Sequence, residues 1–226
     1  ADLAIVGYSD AAQWANEWTP TQRALRGVIY RVSTGEVLAR PFAKFFNYAQ
    51  EPGVQYDRDA PIYGAWDKAD GSLGILYYVD DEDSPAYGLN VATRGSFASE
   101  QAEWATAYMR RKWSLYDWAA EMIHAGYTPL VEIIYPDNRI VLDYGYAREL
   151  RILGLVEMAS GEFEAPPRFK ELVTDGDKVA QELGVYTLRE VLEQPDRPNA
   201  EGWVVWIDEF TAVKIKQQDY LELHKI

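Results

Sequence analysis

Apolar runs of four to eight residues, each closed by turn-forming residues, recur along the whole chain. This constrains the fold more than any other feature. Runs so short suit strands better than helices, and tight turns join neighbouring strands antiparallel. Residues 27–32 and 37–40 flank Ser33-Thr34-Gly35-Glu36, a hairpin signal. Residues 62–66 lead into a Lys-Ala-Asp-Gly turn and a strand at 72–79, and 87–93 return after an acidic loop and Pro85. Residues 130–135 and 139–144 bracket Pro136-Asp137-Asn138 and read as the clearest hairpin. Further strands are expected at 151–157, 203–207 and 211–216. One long helix is expected at 100–124, with Ser99 as N-cap, acids in its first turn and Gly126 just past its end. A weaker helix is expected at 167–183. The expected class is α+β with mainly antiparallel sheets and interspersed helices, in a single domain over residues 1–226.

Composition closes most catalytic schemes. With 226 residues, 48% of them hydrophobic, the chain can bury a substantial core. No apolar run approaches the roughly 18 to 20 residues of a membrane span, and no signal segment opens the chain, so a cytoplasmic protein without membrane partners is expected. There is no cysteine, and His124 and His224 are the only histidines, which excludes disulfides, thiolate chemistry and Cys/His zinc sites. Neither histidine sits in a motif; His124 falls near a helix end and His224 near the C-terminus. Walker A, G-x-G-x-x-G, G-x-S-x-G and H-E-x-x-H patterns are all missing. The 22 basic and 36 acidic residues leave a net charge of −14, which disfavours a broad nucleic-acid surface. Residues 20–58 nevertheless carry six basic groups against three acids, which suits a focused anion site.

The stretch Trp66-Asp67-Lys68-Ala69-Asp70-Gly71-Ser72-Leu73 places a lysine at a tight turn between apolar strands, where its amine can be aimed at a ligand. Alone, the pattern is also ordinary hairpin chemistry. In context it resembles the nucleotide-accepting motif of the covalent nucleotidyltransferases, in the form used by the phage tRNA-repair (type-1) RNA ligases. Upstream, Arg26-Gly27-Val28-Ile29-Tyr30 and Arg40-Pro41-Phe42-Ala43-Lys44-Phe45-Phe46-Asn47 resemble that family's R-G-I-x-F and R-P-x-x-K-F-F-N segments. Thr93-Arg94-Gly95-Ser96 is similar to its S/T-K/R-G-S element, with arginine where lysine is more familiar. Residues 131–141, Glu201-Gly202-Trp203-Val204-Val205, and Val213-Lys214-Ile215-Lys216 with Tyr220 resemble the remaining elements. The elements run in the family's order from residue 26 to residue 220.

The resemblance implies a nucleotidyltransferase (ATP-grasp-like ligase) domain in which Lys68 attacks ATP, carries AMP as a phosphoramidate and passes it to an RNA 5′-phosphate, which a 3′-hydroxyl then seals. An amine attacks phosphorus only when neutral, and positive neighbours favour the neutral form. Lys214 and Lys216 alternate on a strand, share a face and would serve that role. Arg26 and Lys44 would take the pyrophosphate end, and Arg94 another phosphate or the RNA. Glu132 would take a ribose hydroxyl, and Glu201 would hold Mg²⁺ or Mn²⁺, partly through water. Gly71 and Tyr220 join the nucleotide-binding set. Phe46 either stacks on the nucleotide or fills the core, and Asp70 either orients Lys68 or holds its turn. Arg110-Arg111-Lys112 with one of Trp104, Trp113 and Trp118 is a candidate RNA contact; Asp80-Asp81-Glu82-Asp83 reads as a solvated loop. Expected partners are RNA with 5′-phosphate and 3′-hydroxyl ends, a nicked tRNA among the candidates, and an end-healing protein or a separate C-terminal specificity domain. Rival readings are a DNA ligase or capping-type transferase, and a non-catalytic module that binds nucleotides or RNA ends.

Overall fold

Most of the apolar runs are strands. The computed structural model describes residues 2–51, 53–165 and 178–223, and its contacts divide the chain into two units, each assembled from three separate segments.

The first unit comprises Ala1–Lys44, Ser72–Ile133 and Glu149–Val179. It opens with β1 (Leu3–Gly7), α1 (Asp10–Ala15), α2 (Pro20–Ala24), β2 (Arg26–Arg31) and β3 (Val37–Ala39), and these strands form an antiparallel sheet in the order β1-β2-β3. The second unit comprises Phe45–Gly71, Ile134–Arg148 and Ala180–Ile226, and contributes β4 (Phe46–Asn47) and β5 (Gly64–Asp67) next in sequence. The chain then returns to the first unit with β6 (Ser72–Val79), β7 (Gly88–Ala92), α3 (Glu100–Met109), α4 (Trp113–His124), β8 (Tyr127–Ile134), β9 (Glu149–Glu157), β10 (Phe163–Glu164) and β11 (Lys178–Val179). There the strand order is β10-β9-β8-β6-β7, with β11 alongside β9. Ile75, Leu76, Leu89, Met109, Leu115, Leu130 and Ile152 are fully buried among these elements. At a few tens of cal/mol per Å² of apolar surface removed from water, side chains of this kind supply most of what favours folding.

The second unit closes with β12 (Glu182–Leu183), α5 (Leu188–Leu192), β13 (Gly202–Trp206), β14 (Ala212–Lys216) and α6 (Gln218–Leu223). Its sheet order is β12-β5-β13-β14-β4, antiparallel except for the β4–β14 pair. Ala65, Leu188, Val191, Trp203, Val205 and Val213 form its core. Among the described residues no helix is long and apolar enough to cross a membrane.

Three expectations need correction. Residues 139–144 are not the second arm of a hairpin. After β8 the chain makes a one-turn 3₁₀ helix at Pro136–Asn138, and β8 pairs with β6. The amides of Val141 and Leu142 both donate to Asp70 Oδ2 at 2.8 Å, so a carboxylate satisfies groups that a strand ladder would have used. The 100–124 helix is two helices, interrupted at residues 110–112, where the Arg111 and Lys112 amides donate to Tyr108 and Met109 and the turn tightens. Arg110 Nη2 reaches out to Asn90 Oδ1 at 2.9 Å. Finally, residues 178–179 and 182–183 are strands rather than the end of a helix; residues 167–177 of that expected helix, and His224, lie outside the described residues. The Ser99 cap is as expected, accepting from the Ala102 amide, and His124 is exposed with Nδ1 2.6 Å from the Ala120 carbonyl.

Candidate functional site

Strand pairing in the second unit gathers one set of candidate residues. β13 lies antiparallel to both β5 and β14, so the end of β5, the start of β13 and the end of β14 meet at one edge of the sheet. Lys68 follows β5, Glu201 precedes β13, and Lys216 closes β14. The Lys68 amide donates to the Gly202 carbonyl at 2.9 Å, which extends the β5–β13 pairing to Lys68 itself. Gly202 faces Lys216 across the sheet with φ +138°; a Cβ there would lie 1.9 Å from the Ile215 carbonyl oxygen. No other residue fits beside Glu201 without opening the sheet.

At this edge the Glu201 carboxylate, 2% exposed, bridges two ammonium groups. Lys68 Nζ donates to Oε2 at 2.7 Å and Lys216 Nζ to Oε1 at 3.0 Å. Lys216 also lies over the Tyr220 ring, 4.9 Å from its centroid. Tyr220 is buried and donates its hydroxyl to Asp70 Oδ1 at 2.9 Å. Burial first, then the charge of Glu201 and the bond to Asp70, push this phenol well above the usual tyrosine range, so it stays a neutral donor.

Asp70 holds its turn. Its two oxygens accept from Val141, Leu142 and Tyr220, and its own amide donates to the Tyr144 hydroxyl at 3.0 Å. Gly71 follows it and leads into β6. Lys214 shares the strand face of Lys216, with Nζ 4.7 Å from the Phe45 ring centroid. Phe46 is buried in β4, paired with Val213, which is the core alternative.

The first unit gathers the other candidates. Pairing of β1 with β2 sets Gly7 opposite Arg26, and the Tyr8 amide donates to the Leu25 carbonyl at 2.8 Å. Tyr8 then becomes a hub. Arg94 Nη1 donates to its hydroxyl at 2.9 Å, Lys44 Nζ lies 5.4 Å from its ring centroid, and the Trp18 ring meets it edge-on at 4.8 Å. Lys44 also sits 4.4 Å from the Trp18 centroid. Gly27, at φ +103°, allows the Arg94 backbone to approach, since a Cβ there would lie 3.0 Å from the Arg94 carbonyl.

Burial lowers the pKa of Arg26, and Arg94 adds to this, while Tyr8 and Glu132 oppose it. Burial likewise holds Lys44 below the ordinary lysine value of 10.5, and Arg26, Arg94 and Arg23 lower it further. Cations crowded together at such a cost are what an anion site requires.

The structure thus brings Arg26, Lys44, Arg94 and Glu132 together within the first unit. Within the second it joins Lys68, Glu201 and Lys216, with Asp70 and Tyr220 behind them. Tyr8 and Trp18 were not legible as site residues, because nothing in their local sequence marks them. Neither was Arg197, whose Nη2 donates to Asp67 at 2.7 Å and to the Gly202 carbonyl at 3.3 Å, bracing both strands that carry Lys68 and Glu201.

A metal would have to use oxygen ligands here. Among the described residues no three or more His, Cys, Asp or Glu side chains cluster. Glu201 alone still suits a hard cation that keeps most of its waters. Its buried charge already faces two ammonium groups, whose combined charge a divalent ion equals.

Known proteins resemble this chain in sequence and in fold. A family model described as RNA ligase matches residues 24–220. A protein of Thermovibrio ammonificans, provisionally named an RNA ligase, is 28% identical over 232 aligned positions, covering 99% of this chain and 58% of that protein. RNA ligase 1 of bacteriophage TS2126 is 31% identical over 148, covering 60% of this chain and 36% of that one. Among solved structures, Naegleria gruberi RNA ligase with PPi superposes with a TM-score of 0.56 at 19% identity, over 74% of this chain and 53% of that one. A variant of the same enzyme with ATP and Mn gives 0.54 at 17% identity, over 74% and 53%. The chain therefore spans between about a third and three fifths of the length of these relatives. Tyr8 and Trp18 precede the matched region.

Proposed function

The chain belongs to the RNA ligase family, and on that premise we propose that residues 1–226 act as the adenylation domain of an ATP-dependent RNA ligase. The observation that carries this reading is the buried Glu201 bridge between Lys68 and Lys216, at 2.7 and 3.0 Å. It joins the Lys68 amine, a second cation and a carboxylate in one hydrogen-bonded group, which supports the reading of Lys68 as the nucleophile. Lys68 Nζ, having given up a proton, would bond to the α-phosphorus of ATP while the bond to the bridging oxygen breaks and pyrophosphate leaves. Glu201 Oε2 already accepts that proton in a hydrogen bond, so the proton can move without a new partner. Lys216 would then face the charge that develops on the phosphoryl oxygens. Lys214 would serve the same face, and Phe46 and Gly71 would support the nucleotide. Arg26, Lys44 and Arg94 would take polyphosphate oxygens, and Glu132 a ribose hydroxyl. Mg²⁺ or Mn²⁺ held by Glu201 would neutralise phosphate charge when bound.

The substrate of the later steps would be RNA. Transfer of AMP from Lys68 to a 5′-phosphate forms a pyrophosphate bond and breaks the P–N bond. Attack by a 3′-hydroxyl then forms the phosphodiester and releases AMP. An end-healing protein would supply the 5′-phosphate and 3′-hydroxyl where RNA is cut with other ends, as in a nicked tRNA. The test is incubation of 5′-phosphate RNA with ATP and Mg²⁺. An adenylylated RNA intermediate and a sealed product support the proposal. RNA retained on a filter with no covalent change to either molecule would instead favour a binding module, and preference for DNA ends the DNA-ligase reading.

A further inference from the structure

The first unit holds a cavity of about 610 Å³ between the β6–β7 face and α3, which the chemistry proposed above does not use. Its volume lies within the range of pockets that take small ligands. Tyr77 and Phe97 line it, with ring centroids 5.5 Å apart, as do Asn90, Thr106, Arg110 and Arg111. Tyr77 is 4% exposed. Burial pushes this phenol up to about 12, so at neutral pH it is an uncharged donor and acceptor.

The polar groups around it are already arranged. Asn90 Nδ2 donates to the Ala86 and Gly88 carbonyls at 2.7 and 2.9 Å, and its oxygen accepts from Arg110. Arg110 is thereby fixed without a carboxylate partner among the described residues. Arg111 is exposed beside it; Glu103 is the one acid in the lining. Two residues beyond Arg111, Trp113 is 77% exposed at the start of α4, with Lys112 between them.

Aromatic faces, a neutral phenol hydroxyl and guanidinium groups together match a base attached to a phosphate. Trp113, exposed two residues beyond Arg111, is an aromatic side chain available to a strand longer than a mononucleotide. We propose that this cavity, lined by Arg110 and Arg111, is a binding site for single-stranded RNA, taking one nucleotide inside, with a neighbouring nucleotide stacking on the exposed Trp113 two residues beyond Arg111. The identity of the polymer rests on the RNA-ligase reading.

The test uses a short RNA with 5′-hydroxyl ends and internal 4-thiouridine, cross-linked to the full chain and mapped by mass spectrometry. Cross-links are expected at Phe97 or Trp113. Arg111→Glu should weaken RNA binding about tenfold at low salt and flatten its salt dependence. Tyr77→Phe, which removes only the hydroxyl, should weaken it about threefold. Both variants should take AMP on Lys68 within about twofold of wild type. Unchanged RNA affinity in both variants, cross-links confined elsewhere, or displacement of the cross-link by ATP alone would each overturn the assignment. Cross-linking at the cavity in a protein that takes no AMP would keep the RNA site and sink the ligase reading. AMP uptake without cavity cross-links would do the reverse.

Discussion

The two units handle charge in opposite ways. In the second, one buried carboxylate is shared between two lysines, so each cation has an anionic partner before any ligand arrives. In the first, Arg26, Lys44 and Arg94 are crowded around Tyr8, and their mutual repulsion and burial are only partly offset by Glu132 and aromatic faces. A cluster whose cations share a hydrogen-bonded carboxylate suits a group that must hold and release a proton during bond formation. Cations left to repel one another suit a highly charged anion that comes and goes. Both depend on a glycine, Gly202 or Gly27, where backbone approach leaves no room for a side chain.

The largest effect should come from the second unit's anchor. Asp70→Ala removes the acceptor of two amides and of the Tyr220 hydroxyl, and should cost about 3 kcal/mol of stability, read by denaturant unfolding. A loss under about 1 kcal/mol would mean that the turn stands without it. Glu201→Gln leaves two lysines sharing a neutral amide, and should cost about 2 kcal/mol while abolishing adenylylation. If activity survived, the bridge would be structural only.

The first unit should respond by step rather than by stability. Arg26→Ala or Lys44→Ala should depress self-adenylylation far more than sealing of pre-adenylylated RNA. Equal losses in both steps would contradict the pyrophosphate-side role. The smallest effect concerns Lys44 itself. Its folded pKa lies below its unfolded value, so its charged form costs stability below the folded pKa, and the cost fades as pH rises towards 10.5. Lys44→Met should therefore melt no lower than wild type at pH 7 yet lose most of the protection that pyrophosphate confers. As pH rises through that window, wild type should gain stability relative to the variant. A lower melting temperature for Lys44→Met at pH 7 would show that the cation supports the fold.

How much of this could be read from sequence follows from how local each interaction is. Lys68, Glu201 and Lys216 were legible because each sits in a short motif at a strand end, and antiparallel pairing does the rest. Residues 139–144 were misread as a strand because alternation reports side-chain faces, whereas their amides go to Asp70, 71 and 72 residues away in sequence. The break at 110–112 was hidden for a similar reason. Apolar spacing continues across it, and the capture of Arg110 by Asn90 is a tertiary event. Tyr8 and Trp18 lie before every recognisable motif, and only the β1–β2 register brings Tyr8 to Arg26.

The most direct measurement is the site of covalent nucleotide. The protein is treated with ATP and Mg²⁺, digested, and searched for AMP by peptide mass spectrometry, with Lys68→Ala alongside. One acid-labile AMP on the peptide carrying Lys68, discharged by pyrophosphate and lacking in the variant, is the expected result. Wild-type protein that carries no AMP there with either Mg²⁺ or Mn²⁺ would contradict it.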